Sequence, residues 1–210
     1  MEAETFRARL RDLPIEEAAR QLLGVTVYTE VGGVPTAGRI VETEAYRGAD
    51  DKAAHSYKYK RTKRTAVFYA DAGHAYVYLI YGLHRMFNVV VGPPGEPNAV
   101  LVRAVEPVTG IDVMLARRKL RTPGPRIGNG PALVCQALGI SRAHYGLDLL
   151  GAGSPVRLLG ELGTVPAPEV IASPRVGIAY AGECARWPWR FRESGPLGPL
   201  GANSYTSPAK

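Results

Sequence analysis

Between Ala75 and Val105 three β-rich apolar runs follow one another with very short connections. They are Ala75 to Tyr81, Met86 to Val91 and Ala99 to Val105, separated by the tip Gly82-Leu83-His84-Arg85 and the Pro/Gly loop Gly92 to Pro97. This spacing constrains the fold more than any other feature. Parallel strands need a crossover of a dozen or more residues, so connections this short require antiparallel pairing. Two earlier runs, Val25 to Thr29 and Thr36 to Glu44, flank a Gly32-Gly33 turn and read as further strands. Val156 to Leu159 and Arg175 to Tyr180 read as short strands too. Helical signals are fewer. Leu13 to Leu23 places Ile15, Ala18, Ala19, Leu22 and Leu23 on one face, with Pro14 near the start and Gly24 as the stop. Gly110 to Leu120 ends in Arg117-Arg118-Lys119, where the helix dipole favours cations. Pro131 to Leu138 opens another helix with proline at an early position. The expected fold is α+β: a single compact domain over residues 1–210, with a curved, mostly antiparallel, open-barrel-like sheet flanked by helices. Its core is expected over about 13–191, with a loop or loose tail over 192–210.

Charge narrows the partners. The 210 residues carry 26 Lys+Arg against 19 Asp+Glu, a formal net charge of +7. A basic surface fits a polyanion, and charge alone leaves nucleic acid and an anionic membrane surface both open. No apolar run approaches the ~20 residues of a membrane helix. Met1 to Phe6 lacks the basic and apolar regions of a secretory signal. Cys135 and Cys184 stand apart, without the Cys-x-x-Cys or Cys/His spacing of a zinc site, and read as free thiols in a reducing compartment. His-Glu-x-x-His and Walker patterns are absent.

The candidate chemistry lies in Val41-Glu42-Thr43-Glu44-Ala45-Tyr46, Ala53-Ala54-His55-Ser56 and Tyr76-Val77-Tyr78-Leu79-Ile80-Tyr81-Gly82. A carboxylate beside aromatic walls suits hydrolysis at a carbon that bears a flat ring. Glu42 and Glu44 are two apart on a strand and so share a face. They read either as a solvated pair or as the source of one general base. An acid and base flanking a glycosidic bond must sit on opposite sides of it, which same-strand neighbours do not do easily, so one catalytic carboxylate is expected. Strand tyrosines such as Tyr76 and Tyr78 fit core packing as well as a binding wall. Tyr81 differs, because a large ring at a hairpin tip suits a wedge between base pairs better than a core. His55, taken alone, fits a structural or exposed role. Arg103 sits among Val100, Leu101, Val102, Ala104 and Val105, and a buried arginine there needs a carboxylate, for which Glu44 is a candidate.

Taken together, these motifs resemble the alkyladenine (3-methyladenine) DNA glycosylase family, in the form found in mammals and many bacteria. The resemblance rests on Arg39 to Tyr46, Ala53 to His55, Tyr76 to Gly82, Asn88 and Leu101 to Pro107. Gly130-Pro131, Cys135 to Leu138 and Arg175-Val176-Gly177 extend it over about Leu13 to Phe191. It implies that Glu44 deprotonates a water that attacks C1′ of a damaged nucleotide, with Arg103 and the carbonyl of Val176 holding that water. It implies base-pocket walls from Tyr46, His55 and Tyr78, and crowding by Asn88 against the amino group of normal guanine. Tyr81 would fill the gap left by the flipped nucleotide. Thr62, Lys63, Arg64, Leu83 and His84 would contact the DNA backbone. The implied partner is double-stranded DNA with damaged purines, bound by a cytoplasmic (in a bacterium, nucleoid-associated) monomer. No cofactor, metal or membrane is implied. No lysine matches a family nucleophile, which implies a monofunctional enzyme. Thr65, Tyr180 and Cys184 depart from the family's Asn, His and Trp, and bear on lesion preference more than on the reaction.

Two other readings fit parts of the sequence. A non-catalytic module that binds damaged DNA has no use for a carboxylate beside phosphates. An enzyme acting on free nucleosides needs neither a wedge at Tyr81 nor the cationic run from Lys58 to Arg64.

Overall fold

The computed structural model describes residues 3–194. Two helices open it. α1 (Ala3–Asp12) is half charged and buries only Phe6 and Leu10, which lie four apart on one face. α2 (Ile15–Gln21) buries Ile15, Ala18 and Ala19 and is shorter than the apolar pattern from Leu13 to Leu23 predicts. β1 (Thr26–Val31) turns through Gly32-Gly33 into β2 (Val34–Tyr46), the longest strand among the described residues at 13 residues. β3 (Ala75–Ile80), β4 (His84–Val91) and β5 (Asn98–Thr109) form the antiparallel meander that their short connections require. α3 (Ile111–Arg118) and α4 (Pro131–Leu138) follow, then the short strands β6 (Val156–Leu159), β7 (Val170–Ser173) and β8 (Arg190–Glu193).

All eight described strands join one antiparallel sheet that does not close on itself. Its order is β3-β4-β5-β2-β1-β6, with β8 added to β2 and β7 to β8. The fold is therefore α+β with a curved open sheet. β2 pairs with β1 through Val34 to Arg39 and with β8 through Glu42 to Glu44, so one edge serves two partners in succession. Opposite β5, its register breaks around Glu42, leaving Val41 and Arg103 without a cross-strand partner in that ladder. Such bulges re-aim side chains. Here they sit beside the two strand carboxylates, and the freed carbonyl of Arg103 accepts from Gly130 N–H at 3.0 Å.

α2 packs on β2, α4 on β4 and β5, and α3 on α4. Their apolar faces enclose Leu22, Leu23, Ile40, Phe87, Met114 and Leu138. Both cysteines are buried and free.

Three expectations need correction, and two strands add to the sheet. The core begins before residue 13, because Phe6 and Leu10 of α1 belong to it. Arg175 to Tyr180 forms no strand: Gly177 adopts φ +75°, and the Val176 N–H turns to Glu44 instead of to a neighbouring strand. β7 and β8 were not expected. Residues 192 and 193 are strand instead of tail, and the rest of the predicted tail, beyond Ser194, lies outside the described residues.

Candidate active site

A pocket of about 1120 Å³ opens where the β3–β4 hairpin, the strand seam β2–β5 and the segment after β7 meet. Tyr46, His55, Tyr78, Asn88, Arg103 and Val176 all line it. Chain segments more than a hundred residues apart thus converge on one cavity, and every residue expected to hold the water or form the base pocket is at it.

Glu44 lies beneath the floor and is 0% exposed. Its Oε1 accepts from Val176 N–H at 2.8 Å and faces Arg103 Nη1 at 3.2 Å, while its Oε2 accepts from the Tyr46 hydroxyl at 2.7 Å. Val176 N–H thus holds Glu44 directly, a contact distinct from the one to water that the resemblance assigns to its carbonyl. Arg103 turns its Nε to Glu42 Oε1 at 2.9 Å, and Arg190 Nη1 approaches the same oxygen at 3.5 Å. The two strand carboxylates are therefore neither solvated nor equivalent. Both are buried and share one arginine, and Glu44 also holds the ring that lines the pocket. Burial works against the charge on Arg103, but Glu44 and then Glu42 outweigh it and hold the guanidinium above its usual range. Burial, followed by the charge of Glu44, keeps the Tyr46 hydroxyl well above the usual phenol range. It therefore stays a donor.

The other walls are aromatic. Tyr76 and Tyr78 stack at 5.2 Å, and His55 meets Tyr78 edge-on at 4.6 Å. Offset and edge-to-face pairs of this kind add stability beyond their buried area. His55 Nδ1 lies 2.9 Å from the Tyr76 hydroxyl. Burial, and secondarily Arg64, pushes the imidazole down to about 4, so it is neutral at physiological pH. Asn88 is buried on β4, its Nδ2 donating to the carbonyl of Tyr76 at 3.1 Å.

The expected DNA contacts divide into two groups. Tyr81 and Leu83 stand at the tip of the β3–β4 hairpin, 78% and 76% exposed, and His84 is half-buried at the pocket rim. Tyr81 and Gly82 take φ +53° and +70°, with Leu83 N–H closing on Ile80 O at 3.2 Å. Glycine adopts this conformation freely, but a tyrosine is strained in it, and such strain collects at functional positions. The second group lies in the loop after His55. Lys63 and Thr62 are exposed, with Thr62 pinned to the buried Thr65 through N–H···Oγ1 at 2.8 Å. Arg64 is exposed but held by its neighbours. Its Nη2 donates to His55 Nε2 at 2.9 Å and its Nε to the Tyr76 hydroxyl at 3.1 Å.

Sequence reasoning missed the fully buried pair Arg175–Asp51. Arg175 Nη2 donates to Asp51 Oδ1 at 2.9 Å and to the carbonyl of Cys184 at 3.0 Å, and Nη1 donates to the carbonyl of Ala45. Its guanidinium also packs 4.7 Å from the Tyr46 ring centroid. The pair spans 124 residues and had no local signal beyond Arg175 preceding Val176. It fixes the segment that delivers the Val176 N–H and backs the Tyr46 wall. Of the departures from the family pattern, Tyr180 lines the pocket with its side chain largely exposed, whereas Cys184 is buried among Ala53, Ile178 and Ala181.

Residues 9–196 match the family model described as methylpurine-DNA glycosylase (MPG). A Bacillus cereus (strain AH820) protein provisionally named a 3-methyladenine DNA glycosylase is 43% identical over 185 residues, covering 85% of this chain and 90% of its own. Proteins given the same name from Bacillus cytotoxicus and Bacillus mycoides (strain KBAB4) are each 44% identical, over 181 and 179 residues. The first covers 83% of this chain and 89% of its own, the second 82% and 88%. With a buried carboxylate under an aromatic pocket, a strained tyrosine at its mouth and a match over most of its length, this chain belongs to the methylpurine-DNA glycosylase family.

Proposed function

We propose that this DNA glycosylase flips an alkylated or deaminated purine out of duplex DNA and hydrolyses its N-glycosidic bond with a water activated by Glu44. The substrates would be of the 3-methyladenine, 7-methylguanine, hypoxanthine and ethenoadenine class. The observation that carries the reading is the state of Glu44. A carboxylate offers about four lone-pair sites, and Arg103, Val176 N–H and the Tyr46 hydroxyl occupy three. One site on Oε2 remains for a water under the pocket floor. Departure of the base leaves an oxocarbenium-like sugar, and a fixed anion beside it stabilises that charge as it forms.

The walls support base capture. Extruding a base from the stack costs a few kcal/mol, less at a damaged pair, and stacking on aromatic rings returns about 1–3 kcal/mol. Tyr46, Tyr78 and His55 supply the surfaces, Asn88 the crowding against an unmodified guanine, and Tyr81 the plug for the vacated stack. Among the described residues no lysine lines the pocket, which supports a monofunctional reaction that leaves the strand uncut. Thr62, Lys63, Leu83 and His84 serve as backbone contacts, and the protein acts as a monomer inside the cell without a metal or cofactor.

Duplexes carrying a single hypoxanthine, ethenoadenine or 7-methylguanine test the proposal. Strand scission that appears only after hot alkali is the expected result. Scission without alkali would remove the monofunctional assignment. Tight binding with no abasic sites on any lesion would replace the enzyme by a damage-recognition module.

A further inference from the structure

Three guanidinium groups surround the pocket, and they are not balanced alike. Arg103 faces Glu42 and Glu44, and Arg175 faces Asp51. Arg64 has no carboxylate within ion-pair distance among the described residues. It does not line the cavity itself; exposed to solvent, it lies against the Tyr78 and His55 part of the aromatic wall. Its guanidinium carbon lies 5.0 Å from the Tyr78 ring centroid, its Nε donates to the Tyr76 hydroxyl at 3.1 Å and its Nη2 to His55 Nε2 at 2.9 Å.

Arginine only donates hydrogen bonds. Nη2 lies 2.9 Å from His55 Nε2 and 3.2 Å from Nδ1, so a ring nitrogen accepts and the imidazole is neutral, with Nδ1 also 2.9 Å from the Tyr76 hydroxyl. The wall thus carries one uncompensated positive charge, and Arg64 helps to keep the adjacent histidine uncharged. An aromatic face attracts a cation through its electron-rich surface. The Tyr78 ring already has one. A second cation stacked on that wall from the pocket side meets the field of Arg64, whereas a neutral base does not.

Resting on the glycosylase reading above, we propose that Arg64 is a specificity-determining residue: an unpaired guanidinium against Tyr78 and His55 that sets the balance between cationic and neutral flipped purines. It lowers the standing of purines that alkylation has made cationic relative to neutral lesions. This role differs from a phosphate contact, which would strengthen binding to every duplex alike.

Equilibrium binding separates the two roles. The catalytically silenced Glu44→Gln protein and the Glu44→Gln/Arg64→Gln double variant are compared on matched duplexes carrying 7-methylguanine or hypoxanthine, at pH 6.5 and several salt concentrations. The affinity ratio of 7-methylguanine to hypoxanthine is expected to rise about two- to tenfold on loss of Arg64, with the salt slope unchanged. Arg64→Lys in the same background keeps the charge and is expected to keep the parent ratio. An equal loss on both duplexes with the salt slope reduced by about one would assign Arg64 to a phosphate and overturn the proposal. An unchanged ratio, or a Lys variant that shifts the ratio as the Gln variant does, would also overturn it, because charge would not be what the wall reads. Excision by the wild-type protein is scored separately. Its absence would remove the glycosylase reading and leave the binding ratio to decide the role of Arg64.

Discussion

The floor of the pocket and the tip of its hairpin lie at opposite extremes of the same site. Glu44 has no exposed surface and is held by groups from β2, β5 and the segment around Val176. Tyr81 is 78% exposed in a left-handed backbone conformation that its side chain disfavours. Hydrolysis needs a carboxylate whose position is over-determined, because small displacements of reacting groups are costly. A wedge needs the reverse: a ring kept out of the core until the stacked bases supply its partners. The chain places structure-building interactions at one end and strain at the other.

Breaking the floor should have the largest effect on stability. Arg103→Met leaves Glu42 and Glu44 buried without their shared cation and is expected to cost about 3–5 kcal/mol, read as a fall in the urea midpoint. Asp51→Ala strands Arg175 in the same way and should cost a similar ~3–5 kcal/mol. Its loss should also loosen Tyr46, seen as increased hydrogen exchange around Ala45 and Val176. A variant as stable as the wild type would show that this pair does not brace the floor.

The wall should respond to pH. The folded protein holds His55 at about 4, below the ordinary 6.5, so the unfolded chain binds the proton first as pH falls. Stability is complete above about 6.5 and is lost through the window down to about 4, by at most ~3 kcal/mol. His55→Gln should flatten the unfolding midpoint across that window, and an unchanged pH slope would contradict the neutral assignment.

The tip should change least, and in the opposite direction. Tyr81→Asn creates the Asn-Gly pair that a left-handed two-residue turn prefers and is expected to raise stability by about 1 kcal/mol. Excision from duplex DNA should fall at the same time. A variant that is destabilised, or that excises as well as the wild type, would dissolve the contrast between floor and tip.

Much of this was legible in the sequence where the signals were local. The meander from β3 to β5 followed from short connections, and the exposure of Tyr81 from its position beside Gly82. The Arg103–Glu44 contact followed from an arginine in an apolar strand, although nothing indicated that Glu42 would share it, because the β2–β5 bulges that bring this about have no sequence mark. α1 was missed because Phe6 and Leu10 are its only buried residues, the others being charged or small. β7 and β8 were missed because four-residue strands that contain Ser173, Arg190, Arg192 and Glu193 carry no apolar alternation. Val176 and Ile178 suggested a strand, but Gly177 and the attraction of the Val176 N–H to a carboxylate 132 residues away took that segment out of the sheet. Tertiary partners of this kind decide what propensity leaves open.

The most direct test is the wild-type protein against Glu44→Gln on one hypoxanthine duplex, with binding and alkali-revealed abasic sites measured on the same samples. The variant is expected to keep lesion affinity within a few-fold of wild type and to lose abasic-site formation. A variant that binds as well and still excises the base would contradict it, because Glu44 would then not be the group that activates water.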